Sequence, residues 1–174
     1  MKLIYRTAYM NKLASAMGTP DIKVITGIRR CGKSKLLEAF ADQIRASFPT
    51  ANIIRINFNL LEFEPLMQYH ALHDYVEKHF IEDCNNVLII DEVQMCEGFE
   101  KAINSLHASE KYDIYITGSN AFLLSNDLST LFTGRTFEVE VFPFSLAEFA
   151  QYHEITSPDE ALTRYLREGG MPGS

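Results

Sequence analysis

The sequence has no apolar run near the roughly 18 residues that span a bilayer, and Met1-Lys2-Leu3-Ile4-Tyr5-Arg6 carries no signal-peptide core. Both absences speak against a membrane or secreted protein and predict a cytoplasmic one. Cysteine is sparse: Cys31, Cys84 and Cys96 form neither a CxxC pair nor a metal-ligand spacing, and their odd number fits reduced thiols. Zinc has no ligand set here. Basic residues are scarce beyond the first third. Residues 51–174 hold seven Lys and Arg against twenty acids, whereas residues 1–50 hold nine against three, within a net charge of −7. Sequence-independent nucleic-acid binding needs a clustered basic surface, so DNA contact would need another domain, and what remains is a local anion site in the basic third. Repeats, low-complexity tracts and the N/T-K-x-D guanine-reading motif are missing too.

What is present suits one domain: 174 residues and 47% hydrophobic content are ample for a core. The informative segment is Gly27-Ile28-Arg29-Arg30-Cys31-Gly32-Lys33-Ser34, a complete G-x-x-x-x-G-K-S loop. A glycine-rich turn lets successive backbone N–H groups face phosphate oxygens while the following helix directs its positive end at them. Lys33 is placed to reach the β- and γ-phosphates, and the Ser34 hydroxyl to ligate Mg²⁺. The run from Gly27 through Lys35 is the expected nucleotide contact. Its context agrees, because Ile22–Thr26 reads as a strand entering the loop, and Leu36, Leu37, Phe40, Ala41 and Ile44 keep helical spacing after it. Cys31, beside a helix N-terminus and a lysine, is either a small filler or a thiol with a depressed pKa, open to alkylation.

A second motif closes the apolar run Val87-Leu88-Ile89-Ile90, which suits a strand buried on both faces. Asp91 therefore falls at a strand's carboxyl end, where open α/β sheets bind ligands, and is expected to meet the magnesium shared with Ser34. Glu92 is placed to activate water, which favours hydrolysis over transfer to a bound hydroxyl. A further strand, Asp113–Thr117, brings Gly118-Ser119-Asn120 to the same edge. Ser119 is the expected sensor of the γ-phosphate, with Thr117 and Asn120 as alternates; the same residues also suit a helix N-cap.

Strands are expected at 22–26, 52–58, 87–91, 113–117 and 136–142, with helices at 5–17, 33–47, 66–82, 98–110 and 120–131. This alternation predicts an α/β three-layer P-loop sandwich around a mostly parallel five-stranded sheet. Ser145–His153 and Pro158–Glu168 read as helices with Ser145 and Ser157 as caps, so residues 1–144 are expected to be the core and 145–174 a helical extension. His70, His73, Asp74 and Glu77 share a helical face like metal ligands, but Leu72, Tyr75, Val76 and Phe80 form the opposite, core-facing stripe. The polar set reads as the solvated side of an amphipathic helix.

Taken in order, Gly27 to Ser34 with Arg29 and Arg30, Asp91-Glu92-Val93-Gln94, Thr117-Gly118-Ser119, Gly134-Arg135 and Pro143-Phe144-Ser145-Leu146-Ala147-Glu148-Phe149 resemble a family of prokaryotic ATPases in the AAA superfamily. The resemblance implies the additional-strand type of P-loop sheet, and it implies ATP and Mg²⁺ as cofactors. It places Arg135 where such proteins carry an arginine that reaches a neighbouring subunit's γ-phosphate; a surface arginine pairing with Glu138 or Glu140 is the other reading. Arg29 and Arg30 are read as steadying phosphate, docking a further domain or merely solvated, and Gln94 as relaying nucleotide state. Family members continue past a G-G-x-P segment, here Gly169-Gly170-Met171-Pro172, into a C-terminal domain, so this sequence is expected to be the ATPase portion alone. Three functions follow for it. They are Mg²⁺-dependent ATP hydrolysis, by a monomer or a homo-oligomer, driving a conformational change in an unidentified partner or the absent domain; an ATP-gated switch with slow hydrolysis; and a small-molecule kinase, against which Glu92 and the lack of an Arg-rich lid stand.

Overall fold

A strand such as Val87–Ile90 has no polar face to turn to water, so it needs cover on both sides. The computed structural model, which describes residues 4–119 and 128–172 apart from the side chains of 128 and 129, provides that cover. The chain runs α1 (Thr7–Ala16), β1 (Ile22–Thr26), α2 (Lys33–Ser47), β2 (Asn52–Asn57), a 3-10 turn (Leu61–Leu66), α3 (Tyr69–Lys78) and β3 (Asn86–Asp91). A second 3-10 turn (Val93–Met95), α4 (Phe99–Ala108), β4 (Tyr112–Thr117), α5 (Leu128–Leu131), β5 (Thr136–Glu140), α6 (Leu146–His153) and α7 (Pro158–Glu168) complete it.

All five strands are parallel in the order β2-β3-β4-β1-β5. Alternate strand residues face opposite layers. Val24, Leu88, Ile90, Ile114 and Ile116 pack with Leu72 and Val76 of α3 and Ile103 and Leu106 of α4. Ile25, Val87, Ile89, Tyr115 and Val139 pack on the other side with Met10 and Leu13 of α1 and Leu36, Leu37, Phe40 and Ile44 of α2. The expected α/β sandwich is therefore present, and β4 is the additional strand inserted between β1 and β3. Connections return each strand in the same direction, so every βα turn lies at one edge of the sheet.

Element ends differ from the sequence reading where side chains decide them. The helix expected from 66 begins at Tyr69, because the Gln68 side chain accepts from the His70 and Ala71 N–H groups. Met67 and Tyr69 meanwhile exchange backbone bonds with Glu97. It ends at Lys78 rather than 82; the Asn86 side chain takes both the N–H and the carbonyl of Ile81. Of the helix expected at 120–131, residues 120–127 lie outside the described residues and α5 is its last turn. Ser145 and Ser157 do cap α6 and α7, the former in a full capping box with Glu148. The polar face of α3 is not simply solvated: His73 meets Ser105 at 3.2 Å, and Glu77 accepts from the Tyr112 hydroxyl at 2.9 Å. Among the described residues no cluster of three or more His, Cys, Asp or Glu side chains could hold a metal, and no helix is long and apolar enough to cross a membrane.

Candidate functional site: a glycine loop beside two carboxylates

The loop after β1 turns tightly because three of its residues have positive φ: Gly27 at 153°, Arg30 at 68° and Gly32 at 99°. Glycine is required at the first by crowding as well. A Cβ there would stand 2.4 Å from the Val141 carbonyl oxygen and 2.7 Å from Cys31 Sγ. Gly32 then caps α2 with no side-chain bond to the helix's first N–H groups and no acid in its first turn. An uncapped helix start with its dipole unopposed is an anion-binding surface.

Lys33 is folded into this loop and only 4% exposed. Its Nζ donates to the carbonyls of Gly27 at 3.0 Å and Ile28 at 2.9 Å, and lies 3.8 Å from Cys31 Sγ. An ammonium has three donors, so the weak sulfur contact is the one that a phosphate oxygen can replace without loss. Cys31 itself is fully buried. Burial pushes its thiol pKa up despite Lys33 and Arg6 nearby, so the reading of a depressed pKa is corrected and the filler reading stands. The Lys35 ammonium turns away to Glu38 at 2.6 Å, which leaves its backbone at the loop. Ile28, Arg29 and Arg30 are exposed and Ser34 is half-buried.

The carboxylates stand at the same edge. Asp91 ends β3, and β3 is separated from β1 by β4 alone, about 10 Å at ordinary strand spacing. Its side chain is buried; Oδ1 accepts from the Thr117 hydroxyl, and Oδ2 has no hydrogen-bond partner. Thr117 also accepts from the Glu92 N–H at 2.9 Å. With its one proton on Asp91 and the side chain fully buried, Thr117 braces the Asp91 carboxylate and the Glu92 backbone, and the alternate role of phosphate sensor does not suit it. Glu92 adopts a left-handed backbone, φ 57°, which turns its side chain out of strand alternation. The Glu92 carboxylate accepts from Gln94 Nε2, and Gln94 Oε1 is buried without a partner.

Gly118 N–H donates to the Ile25 carbonyl at 3.2 Å, which sets half-buried Ser119 next to the start of the loop. Asn120 lies outside the described residues. Arg135 is not brought to this site. Its carbonyl pairs with Ile22 at the amino end of β1, the opposite sheet edge, and its exposed side chain lines a cleft of about 1040 Å³ there with Thr19, Lys111 and Asp113. Among the described residues no ion pair joins Arg135 to Glu138 or Glu140. That cleft lies at the sheet edge opposite the phosphate loop, whereas the unpartnered carboxylate oxygen lies at the same edge as the loop. One residue at the loop had no sequence signal: Arg6, whose guanidinium donates to the Cys31 carbonyl at 3.2 Å.

Comparison with known proteins follows the same outline. Residues 19–150 match a family described as an AAA domain. An uncharacterized protein of Haemophilus influenzae is 34% identical over 176 residues, which cover 98% of this chain and 44% of that protein. One of Methanocaldococcus jannaschii is 32% identical over 168 residues, 87% of this chain and 35% of its own length. The chain thus spans less than half of either relative. Among solved structures, the Aeropyrum pernix ORC1 protein in complex with DNA superposes with a TM-score of 0.64 at 12% identity, covering 99% of this chain and 52% of that one. AMPPCP-bound DnaA from Aquifex aeolicus gives 0.59 at 17% identity, covering 95% and 57%. At such identities the likeness is one of fold.

Proposed function

The chain belongs to the AAA domain family, and on that premise we propose that it binds ATP with Mg²⁺ at the glycine loop and hydrolyses it. The observation that carries this reading is the buried, unpartnered Asp91 Oδ2. A buried carboxylate oxygen without a donor is costly unless a cation or its bound water completes it. Asp91 and Ser34 are the residues that would hold the ion, which when bound neutralises charge on the β- and γ-phosphate oxygens.

The chain's own groups divide the remaining work. The N–H groups opening α2 bind phosphate, and Lys33 Nζ keeps its two loop carbonyls while exchanging Cys31 Sγ for a phosphate oxygen. Glu92 takes the proton of the attacking water, for which its carboxylate must share or leave the bond from Gln94. Ser119 orients that water. Arg135, at the other edge, acts on a neighbouring copy rather than on its own nucleotide. Residues 1–144 serve as the core and 145–174 as an extension through which nucleotide state reaches a partner or the remainder of a longer, cytoplasmic protein.

A second reading, a nucleotide-gated switch with slow hydrolysis, is favoured by one observation: the Glu92 carboxylate is already engaged by Gln94. Fluorescent-nucleotide titration with phosphate release, on wild type and Glu92→Gln, tests both. Hydrolysis predicts unchanged affinity and turnover reduced about 10² to 10⁴-fold, the usual contribution of a general base. Tight binding with negligible wild-type turnover selects the switch, and absence of nucleotide binding ends both readings.

A further inference from the structure

Arg6 is 5% exposed and lies far in sequence from every motif at the site. A buried guanidinium is costly unless its donors are filled, and here four of its five N–H groups are filled, from three separate parts of the chain. Nε and Nη2 form a two-pronged pair with Glu148 of α6 at 2.9 and 3.0 Å. Nη2 also reaches the Phe142 carbonyl at 2.8 Å, after β5, and Nη1 reaches the Cys31 carbonyl in the phosphate loop. The plane is covered by Tyr9 and Phe144, with ring centres at 4.6 and 5.3 Å.

The bond to Cys31 has a geometric consequence. In a trans peptide the carbonyl of one residue and the N–H of the next point in opposite directions. Holding the Cys31 carbonyl toward Arg6 therefore directs the Gly32 N–H away from it, as one of the donors that open α2. Gly32 is in turn close to the end of the extension, since a Cβ on it would lie 3.4 Å from Pro172 Cγ. The extension is fastened to the same place by Phe144 N–H to the Gly170 carbonyl at 2.6 Å and by the Tyr165 hydroxyl to the Phe144 carbonyl at 2.7 Å.

We propose that Arg6 and Glu148 are positioning residues that set the phosphate loop for nucleotide and couple its occupancy to the placement of α6 and α7. The inference rests on the loop being a nucleotide site, on which both residues act through the Cys31 carbonyl rather than directly. By linkage, a clamp that favours binding must itself be tightened by binding, to the same extent.

The test is hydrogen exchange over residues 144–172 of the purified protein with and without Mg-ADP, alongside fluorescent-nucleotide titration. Wild type is expected to show slower exchange in that segment when nucleotide is bound. Glu148→Gln, which keeps the shape of the side chain, is expected to weaken nucleotide about tenfold and to remove that protection. Arg6→Lys, lacking the two-pronged geometry, should do the same, and the double variant should cost little more than either single change. Ser157→Ala removes the α7 cap without touching the clamp, and should leave affinity unchanged while retaining nucleotide-dependent protection. If Glu148→Gln and Arg6→Lys fold, bind as tightly as wild type and keep the protection, the clamp does not exist. If Ser157→Ala weakens nucleotide as much as they do, their effect is general destabilisation and the proposal falls. Wild type that binds no nucleotide overturns the nucleotide reading itself, a result distinct from both.

Discussion

Lys33 shows how a single side chain can be held ready by its own backbone. Its ammonium loses little on burial because two loop carbonyls replace water, and the remaining donor faces only sulfur. Lys33→Ala removes a charge-assisted contact with nothing to substitute for it. We expect affinity in a fluorescent-nucleotide titration to fall between about 10- and 100-fold, and affinity equal to wild type would remove the phosphate-loop assignment. Glu148 offers a test by pH. Burial alone would raise its pKa from 4.5, but the Arg6 and Ser145 hydrogen bonds and the Arg6 charge outweigh it and hold the value low. A folded-state pKa below the unfolded one contributes stability above about pH 4.5 that is lost as pH falls through the depressed value. The difference in unfolding free energy between wild type and Glu148→Gln should accordingly be present at pH 6 and shrink below pH 4. A difference constant across that range would show that the ion pair contributes nothing of its own.

Among the elements, β1 carries the most unusual burden, a lysine with no exposure near the amino end of a strand flanked by β4 and β5. Lys23 Nζ is satisfied by Asp113 at 2.5 Å and by the Thr19 carbonyl at 2.7 Å. Asp113 also accepts from Gly18 N–H and the Tyr115 hydroxyl, each at 3.0 Å, so the cluster ties β4 to the turn that enters β1. Lys23→Ala would strand part of that carboxylate. A buried pair broken on one side costs about 3 to 5 kcal/mol, and the two surviving donors to Asp113 put this case near 3, close to 10 °C of melting temperature. A loss under about 1 kcal/mol would mean that the cluster is ornamental to stability. The strands and α2 were legible because their signals are local: unbroken apolar runs, helical spacing, and a loop whose chemistry needs glycine. The ends of α3 were not, because the groups that fix them, Glu97 against residues 67–69 and Asn86 against Ile81, lie outside the helix.

At the scale of the whole molecule, the parallel sheet separates two edges, with the loop, Asp91 and Glu92 at one and Arg135 at the other. An arginine so placed does not reach its own chain's loop, and the proposal that it acts on a neighbouring copy predicts a specific activity that rises with protein concentration. Arg135→Ala should flatten that rise with affinity nearly intact, the lost stabilisation being on the order of 10³-fold when assembled. A rate independent of concentration and of Arg135 would make it a surface residue. What the sequence by itself determined is the order of elements, the loop, and the carboxylates at a strand end, since these follow from spacing, backbone conformation and short-range burial. Only the tertiary structure decided which polar groups are spent and which are waiting. It gave Thr117 to Asp91, Gln94 to Glu92 and Arg6 to Cys31 and Glu148, and left Asp91 Oδ2 open. The reason is physical: a buried charge or hydroxyl must be matched by whatever donor or acceptor the fold brings beside it. For Arg6 those partners come from 25 to 142 residues away, and no local pattern records them.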